Sequence, residues 1–340
     1  MTESLENYAE VDALRAANQR LQQQLRKATA KTDDLVEAVT KAAYDAALIA
    51  GPLPLTPVPS KDNRRKEEVA LWDLGDWQGA KLTSTYNSQV MRDRVMQFCT
   101  KAQRITMIQR ADHPVKRCVI IFGGDQVEGL FNFPQQPFEV DSSLFEQYVN
   151  VSRLLVDVVR FALSVYDKVT VVSEWGNHGR IGSKRSAVPR SDNVDRMCYE
   201  LARQLLAGEW RLTWQDCPED IQRLEVGSYR ALVIHGDEFG RNGFASRSTI
   251  VQHVNRWRSG AYRVDGLAWE FRDCYVHHYH LHAEDPLANG EGAVYWTGST
   301  ESDNRYAQNA LSSAGIPSQR LHFVDPVKGR VTSAYKIWLD

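Results

Sequence analysis

From residue 69 onward the chain alternates between continuous apolar runs and short polar clusters. Val69-Ala70-Leu71-Trp72, Cys118-Val119-Ile120-Ile121-Phe122, Val169-Thr170-Val171-Val172 and Ala231-Leu232-Val233-Ile234 have the unbroken, β-branched hydrophobicity of buried strands. Tyr86 to Arg104, Leu144 to Tyr166 and Asp192 to Ala207 carry apolar residues at helical spacing, the last with Ser191 or Asp192 as its cap. That alternation predicts a mixed sheet covered by helices on both faces. The remainder, from Tyr275 through Val294-Tyr295-Trp296 and Arg330-Val331-Thr332 to Lys336-Ile337-Trp338, reads as strand-rich.

The first fifty residues follow a different period. A heptad frame places Val11, Asn18, Leu25, Thr32, Val39 and Ala46 at a, and Leu14, Leu21, Ala28, Leu35 and Ala42 at d. A helix of ~40 residues at this register would reach ~60 Å, and Asn18 at an a position favours a parallel dimer. One long amphipathic helix packed on its own domain is the alternative. Gly51-Pro52-Leu53-Pro54-Leu55-Thr56-Pro57-Val58-Pro59 ends the helix, since proline lacks the amide hydrogen and clashes with the preceding turn. The domains expected are therefore a coiled coil over 1–50, a Pro-rich and charged linker over 51–68, and one folded domain over 69–340.

Bulk properties exclude some classes. A formal net charge of −2 gives no global pull on polyanions, so any nucleic-acid contact must be local. No apolar stretch approaches the roughly 20 residues that span a bilayer, and the polar N-terminus lacks a signal-peptide core. A cytoplasmic protein is expected. The five cysteines, with no CxxC pairing, argue against a disulfide framework or zinc ribbon.

The polar clusters carry the chemistry. Asp76-Trp77-Gln78, Gly124-Asp125, Gly176-Asn177-His178, His235-Gly236-Asp237 and His277-His278-Tyr279-His280 mostly follow the apolar runs, and loops leaving neighbouring strand ends converge. Carboxylate, amide and imidazole donors suit Mn²⁺, Fe or Zn²⁺. In kind and order the five clusters resemble those of the calcineurin-like metallophosphoesterase superfamily, over about Val69 to the C-terminus. The resemblance implies a four-layer β-sandwich flanked by helices and two divalent ions, Mn²⁺ first, with Fe, Zn²⁺ or Mg²⁺ as alternatives. It further implies that Asp76, Gln78, Asp125 and His280 hold one ion, and that Asp125, Asn177, His235 and His278 hold the other. His178 matches the residue that stabilises the transition state or protonates the leaving oxygen. Asp73 competes with Asp76 for the first motif, but no ligand stands at the third position after it.

Three positions depart from the family pattern. Gln78 replaces an imidazole with a neutral amide, His277 replaces a glycine, and Gly179-Arg180 replaces an acidic residue. Arg180 thereby becomes a candidate catalytic cation for a substrate phosphate. Such variants are similar to bacteriophage-encoded members, including ones likened to DNA-repair exonucleases, which would place the protein in a host cytoplasm. Lys184 and Arg185 follow the third cluster, and Arg247, Arg256, Arg258 and Arg263 surround Trp257. These basic and aromatic residues could grip a nucleic-acid backbone and stack a base, or be no more than solvated surface. His277, His282 and Asp237 are expected to orient other groups rather than bind metal. The function expected is a two-metal phosphodiesterase or nuclease, DNA before RNA, dimerised through residues 1–50. A small-phosphoester or cyclic-nucleotide enzyme and a non-catalytic scaffold are the alternatives.

Overall fold

The apolar runs assemble into two facing sheets. A computed structural model describes residues 41, 56–57, 66–182, 189–216, 219, 221–239, 245–302 and 316–340. The chain divides into units Met1–Gly51 and Pro52–Asp340, and the architecture below belongs to the second. The heptad segment apart from Lys41, most of the linker, Lys184 and Arg185 lie outside the described residues.

Strands β1 (Glu68–Leu74), β2 (Val115–Phe122), β3 (Lys168–Ser173), β4 (Leu212–Trp214), β12 (Ser318–Asp325) and β13 (Arg330–Trp338) form one sheet in the order β13-β12-β1-β2-β3-β4. Strands β5 (Gln222–Val226), β6 (Tyr229–Ile234), β9 (Asp273–Val276), β10 (Ala283–Pro286) and β11 (Ala293–Trp296) form the second, ordered β10-β11-β9-β6-β5. A short ribbon, β7 (Arg263–Val264) with β8 (Leu267–Ala268), stands apart. β1, β2 and β3 are mutually parallel, with Leu71 opposite Val119 and Ile121 opposite Val172. β6, β9 and β11 are parallel in the other sheet, with Val276 opposite both Ile234 and Trp296.

Alternation within each strand builds the layers. Val69, Leu71, Val119, Ile121 and Val172 face Leu224, Ala231, Val233 and Tyr275 across the inter-sheet core. Trp72 points the opposite way and meets Phe98 edge-on at 5.6 Å. Phe98 belongs to α1 (Ser88–Gln109), which with α2 (Leu144–Val165) and α3 (Val194–Leu205) accompanies the first sheet. On the outer face of the second sheet Leu232, Ile234, Cys274 and Val276 pack against Ile250 and Val254 of α4 (Arg247–Arg256). The order is therefore helix, sheet, sheet, helix. One sheet covered on both faces was the expectation from periodicity alone; continuous burial shows that both faces are covered without showing by what. Truncating Leu71 to alanine at this interface would cost about 2–5 kcal/mol.

The helix starts follow local chemistry. Ser143 and Glu146 form a reciprocal capping box on α2, and Asn87 caps α1 through Val90 N. α3 is capped by Asn193, two residues after the expected Ser191 and one after Asp192. Cys99, Cys118, Cys198 and Cys274 are buried, unpaired thiols, and no described helix is long and apolar enough to cross a membrane.

Candidate metal centre

Parallel strands of the two sheets deliver their following loops to one rim. Asp76 and Gln78 follow β1, Asp125 follows β2, Asn177 and His178 follow β3, His235 follows β6, and His278 and His280 follow β9. All seven candidate ligands meet there. His235 Nε2 lies 3.1 Å from both Asp125 Oδ2 and Asn177 Oδ1. Gln78 Nε2 lies 3.3 Å from Asp125 Oδ2 and 3.3 Å from His280 Nε2, while His280 Nε2 is 3.7 Å from Asp76 Oδ1. One donor atom each from Asp125, His235 and His278 falls within 4.8 Å of the others.

The backbone at this rim is unusual. Asp76, Gln78, Asp125, His278 and His280 all have positive φ, between 48° and 71°. Five of the eight non-glycine residues in that region among the described residues are thus candidate ligands. Each such conformation costs about 1–3 kcal/mol and persists only where its surroundings dictate it. The surroundings here are other loops. Asp76 N donates to Gly124 O (3.0 Å), Gln78 N to Asp125 O (2.9 Å), and His278 N to Asp76 Oδ2 (3.0 Å). Gly176 has to be glycine, because a Cβ there would lie 1.9 Å from Asp125 Oδ1.

Charge is arranged to suit a cation. Against the cost of burial, His235 and His178 hold the Asp125 carboxyl well below its ordinary range. Burial, then His235, pushes His278 down to about 3, leaving a neutral imidazole ready to ligate. Asp76 is pushed up, chiefly by burial. Gln78 Oε1 is buried without a hydrogen-bond partner, an acceptor that a cation would satisfy. The donor set fits divalent metal ions.

His178 is held from behind. Its Nδ1 lies 3.1 Å from Glu128 Oε2 and 3.3 Å from Gln136 Nε2, and its Nε2 stands 3.9 Å from Asp125 Oδ2. Burial disfavours the imidazolium, but Glu128 and Asp125 outweigh it and raise its pKa to about 9. Arg180, almost buried, gives a guanidinium N–H to Asp237, whose other oxygen is 3.0 Å from Arg190. Among the outlying basic residues, Arg247 pairs with Asp285 at 2.7 Å, Arg258 donates to Ala288 O and Arg263 to Gly266 O. Trp257 packs with Phe239 and Tyr262.

Several supporting residues have no motif to announce them. Asp195, on the first turn of α3 and fully buried, accepts four backbone N–H groups. They come from Asp125 (2.8 Å), Gln126 (3.0 Å), Val127 (3.2 Å) and Gly176 (2.9 Å), so one carboxylate joins the loops that carry Asp125 and Asn177. Burial and Asp125 push its pKa up to about 6, while the N–H bonds from Gly176 and Val127 oppose that shift. Glu301, after β11, lies 3.4 Å from His280 Nδ1, and Ser299 donates to Asp76 O at 2.6 Å. Asp73 turns inward to His277 Nε2 (2.9 Å) and Thr297. The His277 ring fills the space where a Cβ on Gly123 would fall, 2.1 Å from ring atoms.

No family model matches the chain, and no curated protein matches it. Similar solved structures include Vps29 complexed with zinc from Entamoeba histolytica, at 9% identity over 80% of this chain and 99% of that one, with a TM-score of 0.30. A conserved protein from Streptococcus pneumoniae described as a predicted phosphoesterase matches at 11% identity, over 81% and 99%, with a TM-score of 0.28. A purple acid phosphatase from yellow lupin matches at 11% identity, over 83% and 55%, with a TM-score of 0.34.

Proposed function

We propose that the chain is a metal-dependent phosphodiesterase of the calcineurin-like class, acting on nucleoside-containing phosphodiesters, nucleic acid among them. The observation that carries this reading is the set of five strained ligand candidates, all with φ between 48° and 71°, converging from strand ends of two sheets. Backbone strain concentrated on potential ligands is what a functional centre stores and a merely structural cluster would relax.

Asp76, Gln78, Asp125 and His280 would hold one cation, and Asp125, Asn177, His235 and His278 the second. Two divalent cations held there would supply an activated water and neutralise charge on the phosphoryl oxygens. His178 presents Nε2 to the leaving oxygen and gives it a proton, with Glu128 holding the ring from the Nδ1 side at 3.1 Å. Arg180 braces Asp237 beside His235 and contributes positive potential at the same rim.

The test is Mn²⁺-dependent hydrolysis of bis-p-nitrophenyl phosphate and of labelled single- and double-stranded DNA by the full chain, Asp125→Ala and His178→Ala. Metal-dependent cleavage lost in both variants supports the reading. Tight Mn²⁺ binding without any hydrolysis would end it.

A further inference from the structure

The loop from Gly129 to Asp141 bears three phenylalanines and two prolines beside the group assigned to the leaving oxygen: Phe131, Phe133 and Phe138, with Pro134 and Pro137. The Phe133 ring sits 5.1 Å from the His178 imidazole, centre to centre, tilted by 58°. Its backbone is fixed by Gln136, a buried side chain whose Oε1 accepts from Asn132 N (2.9 Å) and Phe133 N (3.0 Å). The amide end of the same side chain donates to Glu128 O (2.5 Å) and lies 3.3 Å from His178 Nδ1. The backbone of Phe133, the Glu128 carbonyl and the His178 ring are therefore tied together by one glutamine. Phe133 is half-buried, and Phe131 and Phe138 are 40% and 86% exposed.

Charge points the same way. From Cys118 to Ser152 there is no lysine, arginine or histidine, and Lys81, which reaches the loop from outside it, is engaged by Glu139 (2.7 Å) and Glu128 (3.2 Å). A loop with no basic residue of its own offers a polyanion little, whereas a partly exposed aromatic ring held beside a proton donor suits a planar ring.

We propose that Phe133 and its loop form a subsite for a planar ring carried by the departing alcohol, making ring-bearing alcohols such as nucleosides the preferred leaving groups. The inference rests on the reading of His178 as donor to the leaving oxygen. In the reaction water forms the new P–O bond, the bond to the ring-bearing oxygen breaks, and that oxygen takes a proton from His178. The water's proton restores the donor, giving a phosphomonoester and a free alcohol with no change of oxidation state.

Dibenzyl and dibutyl phosphate test this, because their alcohols have similar acidity and differ mainly in the ring. The full Mn²⁺-loaded chain should favour the benzyl ester in kcat/KM by about three- to tenfold. Phe133→Leu should bring the ratio close to one, and Phe133→Trp should keep it. Binding of benzylphosphonate and butylphosphonate, measured calorimetrically on the same proteins, gives the comparison without turnover. If neither diester is cleaved but Phe133→Leu abolishes the preference for benzylphosphonate, the subsite stands and the hydrolytic reading fails. If both diesters are cleaved equally well, or Phe133→Leu retains the benzyl preference, the subsite is refuted. A thymidine dinucleoside monophosphate and decathymidylate then separate a single leaving nucleoside from a strand end. Rates on both no better than that on dibutyl phosphate would also overturn the proposal.

Discussion

Asp195 provides a quantitative test of how the centre is held. Its two oxygens accept N–H groups from Asp125 and Gly176 on one side, and from Gln126 and Val127 on the other. Each bond to a charged group is worth about 1.5–3 kcal/mol in isolation, so a sum of four would exceed half the stability of many domains. Two effects reduce it. Removing the carboxylate also removes a buried charge next to Asp125, and water entering the space would satisfy some of the freed donors. Asp195→Ala should therefore destabilise by about 2–4 kcal/mol. Asp195→Asn keeps one acceptor oxygen but turns an NH₂ group toward two N–H donors whichever way the amide is placed. It should cost about 2 kcal/mol. The stronger expectation concerns metal: because Asp195 joins the Asp125 and Asn177 loops, Mn²⁺ affinity should fall about 10–100-fold in Asp195→Asn. Urea unfolding in chelator gives the first quantity and calorimetric Mn²⁺ titration the second. An Asp195→Asn protein within about 0.5 kcal/mol of wild type, binding Mn²⁺ equally well, would show that the four bonds position nothing.

Glu128→Gln should lower kcat by about tenfold to a hundredfold with little change in KM, because it weakens the support of the proton donor rather than substrate binding; steady-state kinetics on a diester with a poor leaving group decides it. Gln78→His should tighten Zn²⁺ binding at the first site about tenfold or more, read by competition with a chelating dye; the left-handed backbone at Gln78 is no obstacle, since His278 and His280 adopt it already. Asp273, buried between strands, has its carboxyl pushed up to about 6, chiefly by burial. Since that is above its ordinary value of 3.8, its contribution to stability is complete below about pH 4 and is lost as pH rises through 6, on the order of 3 kcal/mol at most. The difference in urea midpoint between Asp273→Asn and wild type should therefore move in the variant's favour between pH 4 and 7 and then level off; a difference that stays flat with pH would refute the assignment.

The candidate ligands stood out in the sequence because each sits one to four residues beyond the end of a buried strand, so an apolar pattern followed by Asp, Asn or His marks both the strand and the end where such residues gather. The preference for Asp76 over Asp73 could also be read there, and the structure gives its reason: Asp73 is the last but one residue of β1 and turns into the core to His277 and Thr297, whereas Asp76 lies beyond the strand and reaches the rim. What could not be read were contacts whose partners are far apart. Asp195 looks like an ordinary acidic residue in a first helical turn, and nothing local says that its carboxylate faces loops some 19 and 70 residues away. Glu301 meets His280 through a similar long closure. Glu128, three residues after Asp125, was within reach, because the short extended step Gln126-Val127 carries it past the rim to the back of His178. The basic residues around Trp257 invited a nucleic-acid reading by composition, but Arg247, Arg258 and Arg263 each meet a nearby carboxylate or carbonyl, and composition cannot distinguish a cation facing a phosphate from one already engaged. The same limit applies to the phenylalanines of the Gly129–Asp141 loop, which read in sequence as unremarkable apolar residues and acquire meaning only from the position of one ring against His178. Candidate ligands are thus written locally, whereas the strained backbone that carries five of them and the ring that stands against His178 are products of loops meeting in space.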